Sequence, residues 1–282
     1  MPQDEIYRED DLICPEVGGW AEDKHRLVSL YATLFSSGMK EKWDQRVYAE
    51  LYSGAGYARI RGTPRLVIGS PLRALMLKDP FDRYVFCEEQ TEKITALRIR
   101  AERHAPDAQV KYVEGDCNRR VTKILEAIPT GSKDHTVLTL CFADPFDIGL
   151  KFQTIRELAS ARYVDFLITL ALGMDANRNY ELYVKEDASK VDEFLGSGSW
   201  RQRWAAAQWD AVKFTRFLAG EFTNSMAALG YIPPPFYTMK EVRSYEKNLP
   251  LYRLALFSRH ERAYKFWDQV AKYSTDQKGL WE

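Results

Sequence analysis

The chain has no long hydrophobic run and no excess of either charge. No apolar segment approaches the roughly 20 residues that a membrane-spanning helix requires. Forty basic and forty acidic side chains cancel, so no global field draws the protein onto nucleic acid or a membrane surface. Residues 1–5 do not resemble a signal peptide. We therefore expect a cytoplasmic protein in which any contact with nucleic acid comes from local patches.

Cysteine and histidine are scarce as well. The four cysteines, Cys14, Cys87, Cys117 and Cys141, stand singly, without the paired spacing of a zinc or iron–sulfur site. The four histidines are widely separated, and no Ser-His-Asp or Cys-His set stands out. The sequence thus predicts free thiols in a reducing compartment, with neither a metal site nor a hydrolase triad.

A glycine-containing loop after a short apolar strand is the most informative feature that is present. In segment 48–56, Tyr-Ala-Glu-Leu-Tyr-Ser-Gly-Ala-Gly, Glu50 ends the strand, and Gly54 and Gly56 come after it. Glycines let the backbone approach a ligand, and a carboxylate at the end of a strand can accept hydrogen bonds. A Gly-x-Gly after a strand is also common in ordinary tight turns, so the interpretation depends on the later apolar runs of the chain.

Three further apolar runs end in polar residues in the same way. Run 84–87 is followed by Glu88, run 110–113 by Asp116 with Cys117, and run 136–142 by an Asp-Pro-Phe turn, Asp144 to Phe146. Glu88 and Asp116 could equally belong to ordinary helix starts, Asp116 as a cap. Because open parallel sheets bind ligands beyond the carboxyl ends of their strands, the repetition predicts a nucleotide-type site.

The remaining pattern predicts an α/β fold with a mostly parallel sheet. Apolar spacing predicts a covering helix at 24–35, a short β-ribbon near 65–68 with a helix from Pro71, a fifth strand at 164–172 with Asp165 as its polar exception, a long helix from Trp204 to Phe222, and a hairpin of strands 237–245 and 251–258. Residues 1–19 are expected to be an irregular acidic arm. The corresponding regions are an arm and covering helix at 1–45, a core at 46–180, a helical insertion at 181–230 and a closing hairpin and helix at 231–282.

Tryptophans in the insertion allow two interpretations. Trp200, Trp204 and Trp209 could stack on bases, but their helical spacing favours packing in the core.

These motifs resemble those of class I S-adenosylmethionine-dependent methyltransferases. The loop from Glu50 to Gly56 is similar to the Asp-Leu-Phe-Ala-Gly-x-Gly form of DNA and rRNA methyltransferases, with Tyr52 where the first glycine of the usual motif stands. Asp144, Pro145 and Phe146 resemble the Asp-Pro-Pro-Tyr/Phe turn of amino-methyltransferases, with one proline fewer. The resemblance implies a Rossmann-like sheet that ends in an antiparallel hairpin, whereas an NAD-binding sheet continues parallel.

A resemblance over nearly the whole chain is to the three-Cys-motif partner family. It is carried by Trp20, Lys24–Arg26, Glu50–Gly56, Gly69–Leu72, Phe86–Glu88, Gly115–Asn118, Asp144–Phe146, Leu251–Leu254, Ser258–His260 and Phe266–Trp267. That family is named for genes that neighbour a separate three-cysteine, radical-S-adenosylmethionine-like protein. The resemblance implies either a methyltransferase or a non-catalytic accessory partner of such a protein.

The leading hypothesis is an S-adenosylmethionine-dependent methyltransferase acting on nucleic acid or a nucleotide base. Its donor-binding residues are Glu50, Tyr52, Gly54, Gly56, Glu88, Asp116 and Cys117, and its acceptor-side residues are Asp144, Pro145 and Phe146. The alternatives are the accessory protein, with the helical insertion as its docking element, and an NAD-dependent enzyme, which the terminal hairpin disfavours.

Overall fold

A computed structural model describes residues 10–185, 188–207, 213–244 and 249–276. Its strands are β1 (Glu16–Val17), β2 (Gln45–Glu50), β3 (Tyr57–Ile60), β4 (Leu66–Ile68), β5 (Arg83–Glu88), β6 (Val110–Glu114), β7 (Val137–Ala143), β8 (Val164–Leu170), β9 (Lys240–Ser244) and β10 (Leu249–Phe257). Its helices are α1 (Trp20–Met39), α2 (Ser70–Leu75), α3 (Thr91–His104), α4 (Cys117–Ala127), α5 (Phe152–Ala161), α6 (Tyr180–Tyr183), α7 (Lys190–Leu195), α8 (Trp200–Ala207), α9 (Phe214–Ala228) and α10 (Glu261–Asp276).

Seven strands form the main sheet in the order β6-β5-β2-β7-β8-β10-β9. The first five of these are parallel, and β10 is antiparallel to both β8 and β9. This is the order of a Rossmann-like class I methyltransferase sheet, in which the last strand inserts between its two neighbours. The predicted fold class is therefore confirmed, including the terminal hairpin and the helical insertion before it.

Helices cover both faces of this sheet. Successive side chains of a strand point to opposite faces, so apolar strands leave two apolar faces to be covered. Tyr48 of β2 belongs to one cluster with residues of α1, α2 and α10. Val47 and Ala49 belong to a second cluster with residues of α4, α5 and α7 to α9. Strands buried on both faces read as continuous apolar runs, which is why the core strands could be recognised in the sequence.

The amino-terminal arm is more regular than predicted. Within the described residues 10–19, Glu16 and Val17 form β1, which pairs in parallel with β3, and β3 pairs with β4. A two-residue strand gives no periodicity, so the sequence could not reveal it. Asp10 anchors the same arm through an ion pair with the buried Arg100 of α3.

The predicted continuous helix from Trp204 to Phe222 is wrong. The structure has two helices, α8 and α9, and Lys213 before α9 is extended. Ten residues of helix would separate Trp204 from Phe214 by about 15 Å along the axis, whereas their ring centroids are 5.0 Å apart. The helices fold back so that these rings pack together, and this contact outweighs the local pattern.

Other differences are small shifts of element ends. The fifth strand ends at Leu170, and a π-helical turn at Leu172–Ala176 comes after it. Strand β9 begins at Lys240 after a 3-10 turn at Phe236–Thr238, and Tyr245 lies outside the described residues. Trp200 and Trp204 are buried, which confirms the prediction of core packing for both, and Trp209 lies outside the described residues.

Asp165 is the polar exception in β8, and its environment favours the protonated form. Burial raises the pKa of this carboxyl from its ordinary 3.8 to about 7, against the opposing effects of Ser258 and Arg259. Between these two values the folded protein binds more protons than the unfolded chain. The free energy of unfolding must therefore fall as the pH rises through that interval.

We expect Asp165→Asn to remove this pH dependence. Urea unfolding at about pH 5 and about pH 8 should show a loss of roughly 1–3 kcal/mol for the wild type, a figure reduced because the side chain is only half-buried, and a smaller loss for the variant. The asparagine keeps the size of the side chain and removes its charge. Equal losses in the two proteins would mean that another group causes the effect.

Candidate functional site

The candidate site lies where the order of the parallel strands reverses. From β2 the chain proceeds through β5 to β6 on one side, and it then crosses to β7 and β8 on the other. Ligands of open α/β sheets bind at this switch point, in the crevice beyond the carboxyl ends of the strands. Glu50, the last residue of β2, lies in register with Phe142 of β7. Phe142 comes shortly before Asp144 in the chain. The topology therefore brings the glycine loop and the Asp-Pro-Phe turn to the same edge.

Three contacts fix the loop after β2. The backbone N–H of Gly54 donates to Oε2 of Glu88 at 2.9 Å. Arg100 donates to the carbonyl of Ala55 at 2.6 Å, and Gly69 N–H donates to the carbonyl of Gly56 at 2.7 Å. Because the partners come from β5, α3 and the residue before α2, the loop is held from several sides. Such preorganisation suits a loop that contacts a ligand with its backbone.

The two glycines of the loop have different surroundings. Gly54 has φ +65°, and a Cβ there would meet nothing within 4 Å. Gly56 has φ +84°, and a Cβ there would lie 3.0 Å from Leu72 and 3.1 Å from Leu97. Both positions need glycine for their left-handed backbone. Gly54 leaves open space for a ligand, whereas Gly56 lets the loop pack on α2 and α3.

Glu50 is almost fully buried and is not exposed at the edge of the sheet. It is 1 % exposed, and its two oxygens accept hydrogen bonds from Tyr48 at 3.0 Å and from Ser70 at 2.5 Å. Burial raises the pKa of Glu50 well above its ordinary value, although the two hydroxyl donors oppose this effect. Direct contact between this carboxyl and a ligand would therefore require the surrounding residues to move.

Glu88 is also occupied in part. Besides Gly54, its carboxylate accepts the backbone N–H of Gln90 at 3.0 Å through Oε1. Each carboxylate oxygen has more than one lone pair, so both can accept further hydrogen bonds from a ligand.

Asp116 and Cys117 begin α4, and Tyr52 packs beside them. Asp116 caps the helix by accepting the N–H of Asn118 at 2.9 Å, which fits the capping alternative, while its side chain stays partly exposed. Burial raises the pKa of the Cys117 thiol to about 12 and raises the pKa of Tyr52, which contacts that thiol. Cys117 and Tyr52 are therefore neutral, and they pack with the apolar core at the start of α4.

Asp144, beyond the end of β7, forms an ion pair with Lys24 of α1. Lys24 is 5 % exposed, and its ammonium lies 5.3 Å from the ring of Trp20 and 5.6 Å from that of Tyr252. The neighbouring His25 is also buried, and burial lowers its pKa to about 3, so the ring is neutral. Lys24 is consequently the only charged partner that Asp144 has among the described residues.

The Asp-Pro-Phe turn borders a cavity of about 380 Å³. Pro145 is buried, whereas Phe146 is 79 % exposed. Trp20, Lys24, Arg178 and Tyr252 contribute to the other walls of the cavity. An exposed ring beside a carboxylate can cover a flat ligand while the carboxylate accepts its hydrogen bonds.

Lys24, Tyr252 and Arg178 were not predicted as site residues. Lys24 and Asp144 are 120 residues apart in the chain, so no local sequence pattern indicates that they pair. One signal was present, because Lys24 lies three and seven residues before the inward-facing Leu27 and Tyr31. A lysine on the buried face of a helix needs a carboxylate partner. The acidic residues predicted at the ends of the strands were the candidates for it.

No group of three or more His, Cys, Asp or Glu side chains within the described ranges could hold a metal ion. No helix in this part of the chain is both long and apolar enough to cross a membrane.

Of the comparisons with known proteins, the one with solved structures gave matches. No family model and no curated protein matches the sequence, so membership of the three-Cys-motif partner family is not supported. The chain is similar to cofactor-bound Rv0187 from MTB, with 12 % identity over 89 % of this chain and 84 % of that one and a TM-score of 0.49. It is similar to the O-methyltransferase TomG from Streptomyces achromogenes in complex with SAM, with 12 % identity over 83 % of this chain and 79 % of that one and a TM-score of 0.45. It is also similar to protein LPL1258 from Legionella pneumophila, with 15 % identity over 65 % of this chain and 76 % of that one and a TM-score of 0.43. At such identities and TM-scores, the fold assignment rests on the order and direction of the strands.

Proposed function

We propose that the protein is an S-adenosylmethionine-dependent methyltransferase whose acceptor is a nucleic acid or a nucleotide base. The observation that carries the proposal is Gly54: its backbone is left-handed, the space before it is open, and its N–H is held by Glu88 at the switch point of a class I methyltransferase sheet. The comparison with a methyltransferase solved with this donor agrees with it.

The donor half of the proposed site uses residues from three strand ends. The loop at Gly54 and Gly56 admits the amino-acid part of the donor, and Glu50 acts on it through a bridging water. The carboxylate of Glu88 accepts the ribose hydroxyls, as acids at the end of the second parallel strand do in related sheets. Tyr52, Asp116 and Cys117 border the adenine, where the neutral Tyr52 and Cys117 supply apolar surface.

The acceptor half uses the Asp-Pro-Phe turn. The carboxylate of Asp144 accepts a hydrogen bond from the acceptor amine, the buried Pro145 restricts the backbone before it, and the exposed ring of Phe146 covers the base. When bound, S-adenosylmethionine would supply a methyl group from its sulfonium to the nitrogen lone pair; the methyl–sulfur bond would break, S-adenosylhomocysteine would leave, and the amine proton would pass to solvent. The protein's part is alignment and exclusion of water, so a strong general base is not required.

Tritium transfer tests the proposal. Purified protein is incubated with methyl-tritiated S-adenosylmethionine and with total RNA, total DNA or a mixture of nucleosides, and acid-precipitable or chromatographed counts are measured. Incorporation that depends on the protein supports the proposal and identifies the polymer. Tight donor binding without incorporation into any of these acceptors would contradict the nucleic-acid acceptor.

We expect Glu88→Ala to weaken donor binding roughly ten- to a hundredfold, since hydrogen bonds to a charged group contribute about 1.5–3 kcal/mol. The exposed neighbour provides the control, because Glu89→Ala removes a carboxylate of the same strand end without touching Gly54. Isothermal titration measures the affinity of both variants for S-adenosylmethionine. Glu88→Gln, which keeps an oxygen for the Gly54 N–H, separates loop order from ribose contact. Normal binding by Glu88→Ala with loss in Glu89→Ala would shift the assignment by one residue.

A donor-binding accessory protein is the second candidate, and one observation favours it. The ammonium of Lys24 already occupies Asp144, at the position where an acceptor amine would bind. In that case the protein binds S-adenosylmethionine but transfers no methyl group, alone or with a three-cysteine radical-S-adenosylmethionine-like partner. Incorporation of tritium by the protein alone excludes this candidate.

A further inference from the structure

A second cavity adjoins the one beside Asp144. The first, about 380 Å³, includes Lys24, Arg61 and Arg178 in its walls. The second, about 420 Å³, includes Lys213, Arg216 and Arg253. Leu251 and Tyr252 of β10 contribute to the walls of both, so the two cavities adjoin at this strand; together they are here called the basic trough after these six cationic residues.

The basic trough is positively charged although the whole chain is neutral. Its six cationic side chains face three carboxylates, those of Glu16, Asp144 and Glu241. Each carboxylate has its own cationic partner: Lys24 for Asp144, Arg61 for Glu16 and Arg253 for Glu241. The other three cations, Arg178, Lys213 and Arg216, are exposed and form no ion pair with any residue that the structure describes. An excess of three charges is thus open to an anionic ligand.

Aromatic rings alternate with these cations. The guanidinium groups of Arg253 and Arg216 lie 4.0 Å and 5.6 Å from the ring of Phe236. At the other end stand the exposed Phe146 and the contacting pair of Trp20 and Tyr252, whose ring centroids are 5.0 Å apart. A charged groove with interleaved rings and arginines is typical of sites for single-stranded nucleic acid, where phosphates meet the cations and bases stack on the rings.

We propose that the basic trough binds a single-stranded polynucleotide, with its phosphates along Arg178, Lys213 and Arg216 and one base held at Phe146. A strand fits better than a single nucleotide because the unpaired cations are distributed over both cavities. The assignment of the base at Phe146 rests on the proposed function, whereas binding of the strand does not require the methyl donor. The site thereby extends from one acceptor base to the polymer that carries it.

Fluorescence anisotropy with labelled oligonucleotides of about 12 residues tests the proposal. The protein is titrated with oligo-dT and oligo-U, and duplex DNA and polyglutamate of equal charge serve as competitors. We expect binding of at least one single strand, weaker competition by the duplex, and an affinity that falls with salt. Equal competition by polyglutamate, preference for the duplex, or no binding of either strand would overturn the proposal.

The variant is Arg178→Ala/Lys213→Ala/Arg216→Ala, and the matched control is Lys111→Ala/Lys123→Ala/Lys133→Ala, three exposed lysines outside the trough with no ion pair among the described residues. We expect the triple variant to bind roughly tenfold or more weakly and its salt slope to fall by about 2, at about 0.7 per lost phosphate contact. The control should bind like the wild type. Equal binding by the triple variant and the control would also overturn the proposal.

Titration of the same samples with S-adenosylmethionine separates this proposal from the proposed function. Donor binding without binding of either strand contradicts only the basic trough. Strand binding without donor binding contradicts only the methyltransferase.

Discussion

Replacement of Gly54 by valine should abolish binding of S-adenosylmethionine while the protein stays folded. The added side chain would enter the open space in front of the loop, where no atom of the protein lies within 4 Å of the Cβ position. Affinity should fall about a hundredfold or more, which corresponds to about 2.8 kcal/mol. Isothermal titration measures the affinity, and circular dichroism with thermal unfolding establishes the fold.

Gly62→Val is the matched control for this variant. Gly62 has φ +74°, and a Cβ there also meets nothing within 4 Å, but the residue lies in the exposed turn between β3 and β4. The strain of a valine in left-handed backbone is thus the same at both positions, roughly 1–3 kcal/mol. Both variants should lose similar stability, and only Gly54→Val should lose the donor. Retained affinity in a folded Gly54→Val would move the donor site elsewhere.

The second large effect should be a loss of methyl transfer without a loss of donor binding when Asp144 is changed. In the proposed site the turn belongs to the acceptor side of the crevice, so its change should affect the other substrate. Asp144→Ala should lower turnover about a hundredfold or more. It also leaves Lys24 as a buried unpaired cation, and breaking a buried pair costs about 3–5 kcal/mol.

Asp144→Asn and a double variant therefore accompany the alanine variant. The asparagine keeps an acceptor for the Lys24 ammonium, and Lys24→Met/Asp144→Ala removes both charges, so these proteins should fold with less destabilisation. Tritium incorporation and isothermal titration are measured on all three. Equal incorporation by Asp144→Asn, Asp144→Ala and the wild type would refute a role of this carboxylate with the acceptor.

The sequence predicted those parts of the structure that depend on local patterns. The parallel strands were recognised as continuous apolar runs, and the polar residues after β2, β5, β6 and β7 do lie at one edge of the sheet, since parallel strands end together. The positive φ values of Gly54 and Gly56 also agree with the residue type. These features require only short segments of chain.

Features that depend on distant segments were missed. The ion pair of Lys24 with Asp144 joins α1 to the end of β7, and Glu50 accepts a hydrogen bond from Ser70 at the start of α2. The fold of α8 onto α9 arises from contacts between aromatic rings that a continuous helical pattern cannot indicate. In each case, a tertiary contact decides what the local sequence leaves open.

Calorimetric titration of the wild-type protein with S-adenosylmethionine, S-adenosylhomocysteine and NAD tests the identity of the donor most directly, because it requires no knowledge of the acceptor. We expect saturable binding of both sulfur ligands at one site, with loss of both in Gly54→Val and retention of both in Gly62→Val. Binding of NAD in preference to both sulfur ligands, or binding of neither sulfur ligand by folded protein, would contradict a methyltransferase donor site.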